Sequence, residues 1–213
     1  SRAGLTVTQE FGSSVLTFDF LTGLGFGQSS NYSQTGDPDF LDWRRTFVRQ
    51  LEFSLETAKA GTFTFGQGSM ATDGVAQSDL SGTKVAMYNG LDTVAGKYQF
   101  RTAAGALSGI DIDDTFTSFD SSRRGRIRYD SPSLNNFTFS IAYGKDILST
   151  NNDDIYGDAA LRYKNEIGDV KIAGSLGFAR RTRSGTDRDD TFGSISALHS
   201  SGANITLAAG SRK

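Results

Sequence analysis

Apolar and polar residues alternate with a period of two along most of this chain, the repeat of an extended strand whose successive side chains point to opposite faces. From Val15 to Phe26, one face carries Leu16, Phe18, Phe20, Leu24 and Phe26, and the other Thr17, Asp19, Gly23 and Gly25. From 137 to 144, Phe137, Phe139, Ile141 and Tyr143 alternate with Thr138, Ser140, Ala142 and Gly144. From 155 to 164, Ile155, Gly157, Ala159, Leu161 and Tyr163 stand against Tyr156, Asp158, Ala160, Arg162 and Lys164. Further alternating runs near 2–9, 43–56, 62–68, 124–130, 170–181, 191–199 and 204–210 bring the expectation to about ten strands. No helix-period segment of convincing length interrupts them, and no stretch approaches the roughly 18 apolar residues of a membrane helix.

The connections fall into two classes that alternate. Short ones lie at Glu10–Ser14, Thr57–Gly61, Ser131–Asn136, Asn165–Asp169 and Ser200–Ala203, and long polar ones at Gly27–Asp42, Ser69–Arg123, Lys145–Asp153 and Thr182–Asp190. In an up-and-down antiparallel sheet every second connection lies at the same end, so one end has short turns and the other long loops. That asymmetry belongs to membrane barrels. The polar face carries Arg126, Arg128, Arg162 and Lys164 among Gly, Ala, Ser and Thr, a sparse lining suited to water, which leaves the large apolar face to lipid. Trp43, Phe47, Phe65, Tyr129, Tyr143, Tyr163 and Phe178 lie near strand ends, where interfacial aromatics belong. The expected fold class is all-β, a transmembrane antiparallel up-and-down β-barrel.

Composition narrows the function. With 25 Gly but only 2 Pro, the chain is neither collagen-like nor a typical disordered linker. Cysteine is absent, which removes disulfides, thiolate metal sites and thiol nucleophiles. The single histidine, His199, is expected as a polar residue near a strand end; a Ser-His-Asp set would depend on it alone, so no enzyme is expected. A net charge of −2 does not suggest a nucleic-acid partner. The N-terminal SRAGLTVTQE lacks the segments of a secretion signal, which is expected to have been removed or to lie outside this sequence. The GLGFG stretch at 23–27 ends a strand without opening a helix, so its glycines are read as small wall residues. A surface-exposed β-barrel adhesin or binding protein remains the main alternative to a channel, and a barrel enzyme a weaker one.

The segment from Ser69 to Arg123 is far longer than a compact connection needs. It has few large apolar residues and repeated turn signals at Asp73-Gly74, Ser81-Gly82, Asn89-Gly90 and Ser108-Gly109. Asp111, Asp113, Asp114 and Asp120 crowd its later part, just before Arg123, Arg124, Arg126 and Arg128. Folded into a lumen, it would set carboxylates across from guanidiniums and create a transverse field that filters solutes. Two other readings stay open: a solvated outer loop, and a structural calcium site made by Asp111, Asp113 and Asp114. No other cofactor is expected.

The segments FTFGQGS, DGVAQSDLSGT, FDSSRRGRIRYDSPS, FTFSIAYG and ITLAAG resemble those of Gram-negative general diffusion porins, RIRYDSP being the most specific. The resemblance covers nearly the whole chain. It implies a barrel of about 16 strands, assembled as a homotrimer in the bacterial outer membrane among lipid and lipopolysaccharide. Such a barrel passes ions and small hydrophilic solutes by passive diffusion, past a third loop folded inward against a basic wall. Carried onto this sequence, the wall comprises Arg2 in SRAGL with Arg126 and Arg128 in RIRYD, and the acidic loop residues are Asp111, Asp113, Asp114 and Asp120. Arg44 joins the wall if Leu51, Phe53 and Leu55 face lipid; the resemblance places Arg49 in the wall as well, whereas alternation with Leu51 points it outward unless a bulge intervenes. The long loop is second here where the family's is third, and the final AAGSRK lacks a terminal aromatic strand. Residues 1–213 are therefore expected to be one incomplete barrel domain, from about the second to about the eleventh strand, with 69–123 as its constriction loop.

Overall fold

In the computed structural model, which describes residues 1–213 apart from Tyr88, Asn89, Thr117, Asn151 and the side chains of Val85 and Met87, ten strands form one antiparallel sheet. They are β1 (Arg2–Phe11), β2 (Ser14–Gly23), β3 (Val48–Thr57), β4 (Gly61–Ser69), β7 (Arg123–Asp130), β8 (Phe137–Lys145), β9 (Ile155–Ile167), β10 (Val170–Arg183), β11 (Thr186–His199) and β12 (Asn204–Arg212). Each pairs with the next in sequence, and β1 and β12 are the edges of an open sheet. The step from β2 to β3 holds two turns of 3-10 helix (Ser29–Asn31 and Arg45–Phe47), and the step from β4 to β7 contains the short helices α1 (Lys84–Met87) and α2 (Leu91–Ala95), then a small hairpin of β5 (Gln99–Arg101) and β6 (Leu107–Asp111).

The register turns the period-two pattern into two unlike surfaces. Phe53, Phe65, Ile127 and Tyr143 follow one another across four strands, and the last three are 66%, 64% and 63% exposed. On the same side, Phe18 stacks on Phe53 at 5.0 Å, Phe63 on Tyr129 at 5.0 Å and Phe137 on Tyr163 at 4.7 Å, the cross-strand contacts that stabilise a sheet face. The reverse side carries the row Glu52, Gly66, Arg126, Gly144, Tyr156, Arg181, Arg188. A face this apolar is at home in hydrocarbon, where a sheet closed into a barrel satisfies every strand's backbone groups through its neighbours.

Fully buried apolar side chains gather where the long segment lies on the polar face. Met70 and Ala71 pack with Ala142 and Tyr156, and Val75 packs with Ala160, Ala179 and Phe192. The wall is made of small residues there because the segment needs the room: a Cβ on Gly177 would come within 3.0 Å of Thr72 and 3.1 Å of Val75.

Three expectations change at strand ends. β2 stops at Gly23, so Leu24, Gly25 and Phe26 belong to the connection, and Phe26 forms only an isolated bridge with Leu41. Residues 43–47 precede β3: Trp43 donates its indole N–H to Thr22 Oγ1 at 3.0 Å, and Phe47 closes a turn of 3-10 helix. The long loop expected at Thr182–Asp190 is a two-residue turn, Ser184-Gly185, with φ of 48° and 79°, the doubly positive geometry of a tight hairpin. The strands run on beyond their apolar stretch, and their charges are used across the pair: Arg180 holds Asp189 through two 2.6 Å bonds, and Thr182 Oγ1 donates to Asp187 at 2.6 Å. Both faces are polar there, so the alternation disappears while the strand continues. Among the turn signals of the long segment, Gly74, Gly82 and Gly109 adopt positive φ, but Ser108-Gly109 lies inside β6 and the hairpin turns near Gly105. Asn89 of the Asn89-Gly90 signal lies outside the described residues. His199 ends β11 as expected, its Nδ1 2.8 Å from Ser201 Oγ in the following turn.

Candidate pore constriction

The chain leaves β4 and lies down on the polar face, where side chains replace the backbone partners it gives up. Asp158 of β9 accepts the amides of Ala71 (3.1 Å) and Thr72 (2.9 Å) and the Thr72 hydroxyl (2.5 Å). Three guanidiniums take the carbonyls. Arg126 donates to Ser69 O (3.0 Å), Arg128 to Ser69 O (3.1 Å) and Met70 O (2.9 Å), and Arg162 to Ala71 O (2.6 Å) and Asp73 O (3.2 Å). Farther along, Ser194 Oγ donates to Val75 O at 2.5 Å and accepts the Ser78 amide at 2.8 Å. Ser196 Oγ then accepts the Leu80 amide at 3.0 Å, and Thr206 Oγ1 donates to Asp79 at 3.0 Å. On its return the segment is held again: Arg212 donates to Ser118 O at 2.8 Å, and Phe119 stacks on Phe192 at 5.9 Å.

Between these two anchorages the segment reaches the opposite flank of the sheet. The Lys97 amide donates to Ser30 O at 2.9 Å, and Gln34 and Gln99 exchange bonds of 2.7 and 2.9 Å. Thr93 of α2 shares a cavity of about 480 Å³ with Arg2, Gln28, Thr46, Phe47 and Arg49. The segment is thus tied to β9–β12 at its ends and meets the β1–β3 side at its middle.

The acidic residues do not face the arginines expected of them. Lys97 Nζ sits 3.1 Å from Asp111 and 3.0 Å from Asp113, and these carboxylates raise its pKa. Asp114 accepts the Asp111 amide at 3.0 Å. Oxygens of the three carboxylates lie within 4.8 Å of one another, and the Lys97 ammonium pairs with two of them. Asp120 is elsewhere, at the return of the segment, accepting from Ser118 Oγ (2.8 Å) and the Ser122 amide (3.1 Å). Burial, with Asp73 nearby, pushes its carboxyl above the ordinary aspartate range.

The basic residues are also redistributed. Arg126 is paired with Glu52 at 2.5 Å, with the two side chains 3% and 9% exposed. The pair crosses β4 over Gly66 and Gly68, and a Cβ on Gly68 would run into the Glu52 carboxylate. Arg128 is neutralised by Asp130 at 2.7 Å. Both arginines therefore anchor the segment rather than line open water. Arg44, expected on the lumen face of a strand, lies before β3 and pairs with Asp42 at 2.5 Å, which raises its pKa. Arg49 is resolved by a bulge: Leu21 pairs with Gln50 but Thr22 with Val48, so Arg49 is an extra residue, and it turns to the cavity it shares with Arg2. A second cavity of about 190 Å³ joins Arg49 to Arg123, whose nearest carboxylate, Asp73, is 3.7 Å away. Arg2, Arg49 and Arg123 form an open basic surface beside the middle of the segment. The sequence reading placed Arg123 in the basic run but not among the wall residues carried over from the resemblance, put Asp158 and Arg162 on the polar face without an anchoring role, and gave Glu52 no role. Glu52 carried a signal, since it shares the polar face with Arg126 across a single glycine-rich strand.

A model of the Gram-negative porin family matches residues 2–211. The chain belongs to the Gram-negative porin family. No curated protein matches it. Among solved structures, this porin is similar to the anion-selective porin from Comamonas acidovorans, at 17% identity and a TM-score of 0.44, over 98% of this chain and 67% of that one. It is also similar to a loop L8 deletion mutant of OmpT, an outer membrane protein of Vibrio cholerae, at 14% identity and a TM-score of 0.43, over 99% of this chain and 72% of that one. The trimer form of in-vitro folded OmpT gives 15% identity and a TM-score of 0.27, over 100% and 80%. The family assignment rests on the family match and not on these distant likenesses. This porin is an outer-membrane channel protein, with its apolar face to lipid and its polar face to the lumen.

Proposed function

We propose that this porin passes small hydrophilic solutes and ions by passive diffusion through a constriction set by residues 70–122, and that it favours anions. The supporting observation is the cluster of Arg2, Arg49 and Arg123, of which Arg2 and Arg49 share a cavity with Thr93 of α2, while Lys97 offsets part of the charge of the loop's acidic trio. An anion entering that cavity meets two guanidiniums and no carboxylate among the described residues that line it, and a cation meets a barrier. Reversal potentials across a planar bilayer with a potassium chloride gradient test this. R2Q/R49Q shifts selectivity toward cations, and an unchanged potential rejects the assignment.

We further read the sheet as about the second to the eleventh strand of a barrel of about 16 strands. On this reading it assembles as a homotrimer, with outer-membrane lipid and lipopolysaccharide around its apolar wall. Cross-linking of protein extracted in mild detergent tests the assembly, and a product no larger than one chain removes the trimer.

A further inference from the structure

Near the long-loop end of the polar face lies a second basic surface, which meets the first at Arg124, in the cavity that Arg124 shares with Arg49. Arg181 of β10 stands directly opposite Arg188 of β11, and like charges so placed destabilise a strand pair. Tyr156 is the other neighbour of Arg181, and the Arg124 guanidinium lies 4.0 Å over its ring. Two carboxylates serve the group. Asp154 takes Arg183 at 2.7 Å and Arg181 at 3.9 Å; Asp190 takes Arg212 at 2.6 Å and Arg188 at 3.1 Å. Four guanidiniums therefore share two carboxylates, with Arg124 beside them over the Tyr156 ring, and the carboxylates lie underneath. Asp154 and Asp190 are 2% and 1% exposed, against about a quarter for Arg181 and Arg188 and more than half for Arg183.

Neighbouring acids do not correct the excess. Asp153 pairs with Lys145, Asp146 bonds within its own loop, Asp158 holds the segment root, and Asp187 and Asp189 pair with Arg180 on the opposite face. The Nε atoms of Arg124, Arg181 and Arg188 find no acceptor among the described residues.

We infer that this arginine shelf is a binding site for small phosphate-bearing anions on the lumen wall. A phosphate offers several oxygens and more than one charge, so one group can accept from two guanidinium forks and relieve the crowding of Arg181 against Arg188. A monovalent halide can do neither. The inference rests on the reading of the polar face as a solute path, and it places the site apart from the constriction.

Inorganic pyrophosphate is the probe. Titrated calorimetrically into the detergent-folded protein at low salt, it binds; R181Q/R188Q weakens binding at least roughly tenfold, the scale of losing charge-assisted bonds, and R49Q leaves it intact. R181K/R188K keeps the charge without the fork and falls between. Heat-modified gel mobility verifies folding, and R188Q alone replaces the double variant if that fails to fold. No binding to the wild type, equal binding to R181Q/R188Q, or loss in R49Q overturns the site. The two proposals fail separately: if R2Q/R49Q leaves reversal potentials unchanged while pyrophosphate binding still depends on Arg181 and Arg188, the constriction reading falls and the shelf stands.

Discussion

Asp158 concentrates three hydrogen bonds on one carboxylate, and all three come from the first turn of the long segment. In Asp158→Asn one of those acceptors becomes an amide NH2 facing donors, so the root of the segment loosens. Single-channel recordings should show a noisier open state with larger conductance, and a quiet, unchanged channel would contradict the anchoring role. Gly68 is a sharper case because its missing side chain is what lets Glu52 meet Arg126. Gly68→Ala parts a buried pair and costs about 3–5 kcal/mol, visible as a lower urea midpoint in detergent. Asp120 gives the pH dependence. Its carboxyl titrates above the ordinary range when the segment is docked, so with rising pH the released form ionises first. Docking of residues 118–122 is strongest in acid and weakens between the ordinary aspartate range and the raised value. Amide exchange at Ser121 and Ser122, compared with D120N at each pH, should diverge toward neutrality, with D120N the better protected. The sequence showed which face these residues occupy, because alternation fixes that. It did not show that Arg126 and Arg128 are consumed as anchors, because their partners, Glu52 and the carbonyls of Ser69 and Met70, are set by register and by the path of the segment.

At the level of elements, alternation located all ten strands but lost their ends wherever both faces turned polar. The hairpin of β10 and β11 is the clearest instance. Its outer portion carries Arg180, Arg181, Arg183, Asp187, Arg188, Asp189 and Asp190, which looks like a loop until the register sets Arg180 against Asp189. The Ser184-Gly185 pair, which both residues' positive φ makes a tight turn, was passed over within the stretch read as a long loop. Gly185→Val places a β-branched residue at φ 79° and should cost roughly 1–2 kcal/mol. Refolding into detergent should then be slower and the hairpin tip more open to protease, while unaltered refolding and cleavage would argue against the tight turn. The Arg49 bulge was legible only as a conflict: alternation sent it outward while the family resemblance sent it inward, and the register slip between Leu21 and Thr22 reconciles the two.

At the scale of the molecule, the long segment acts as a strut. Its root and return are fixed to β9, β11 and β12, while Ser30, Gln34 and the cavity of Arg2 and Arg49 receive its middle. A strut held at both flanks narrows whatever passes between them, and its effect depends on the part that reaches across. Deleting residues 91–111 removes α2 and the β5–β6 hairpin but leaves the anchors at 70–80 and 118–122. That variant should insert normally, conduct more and admit larger neutral sugars in liposome swelling. Its anion preference should fall, because Arg2 and Arg49 then face a wide aqueous space where charges are screened over about 10 Å. Weakening the anchors predicts a different signature, since D158N lets an intact strut move and so raises noise along with conductance. If the deletion and D158N gave the same steady conductance as the unaltered porin, solutes would not be passing between α2 and the Arg2–Arg49 wall.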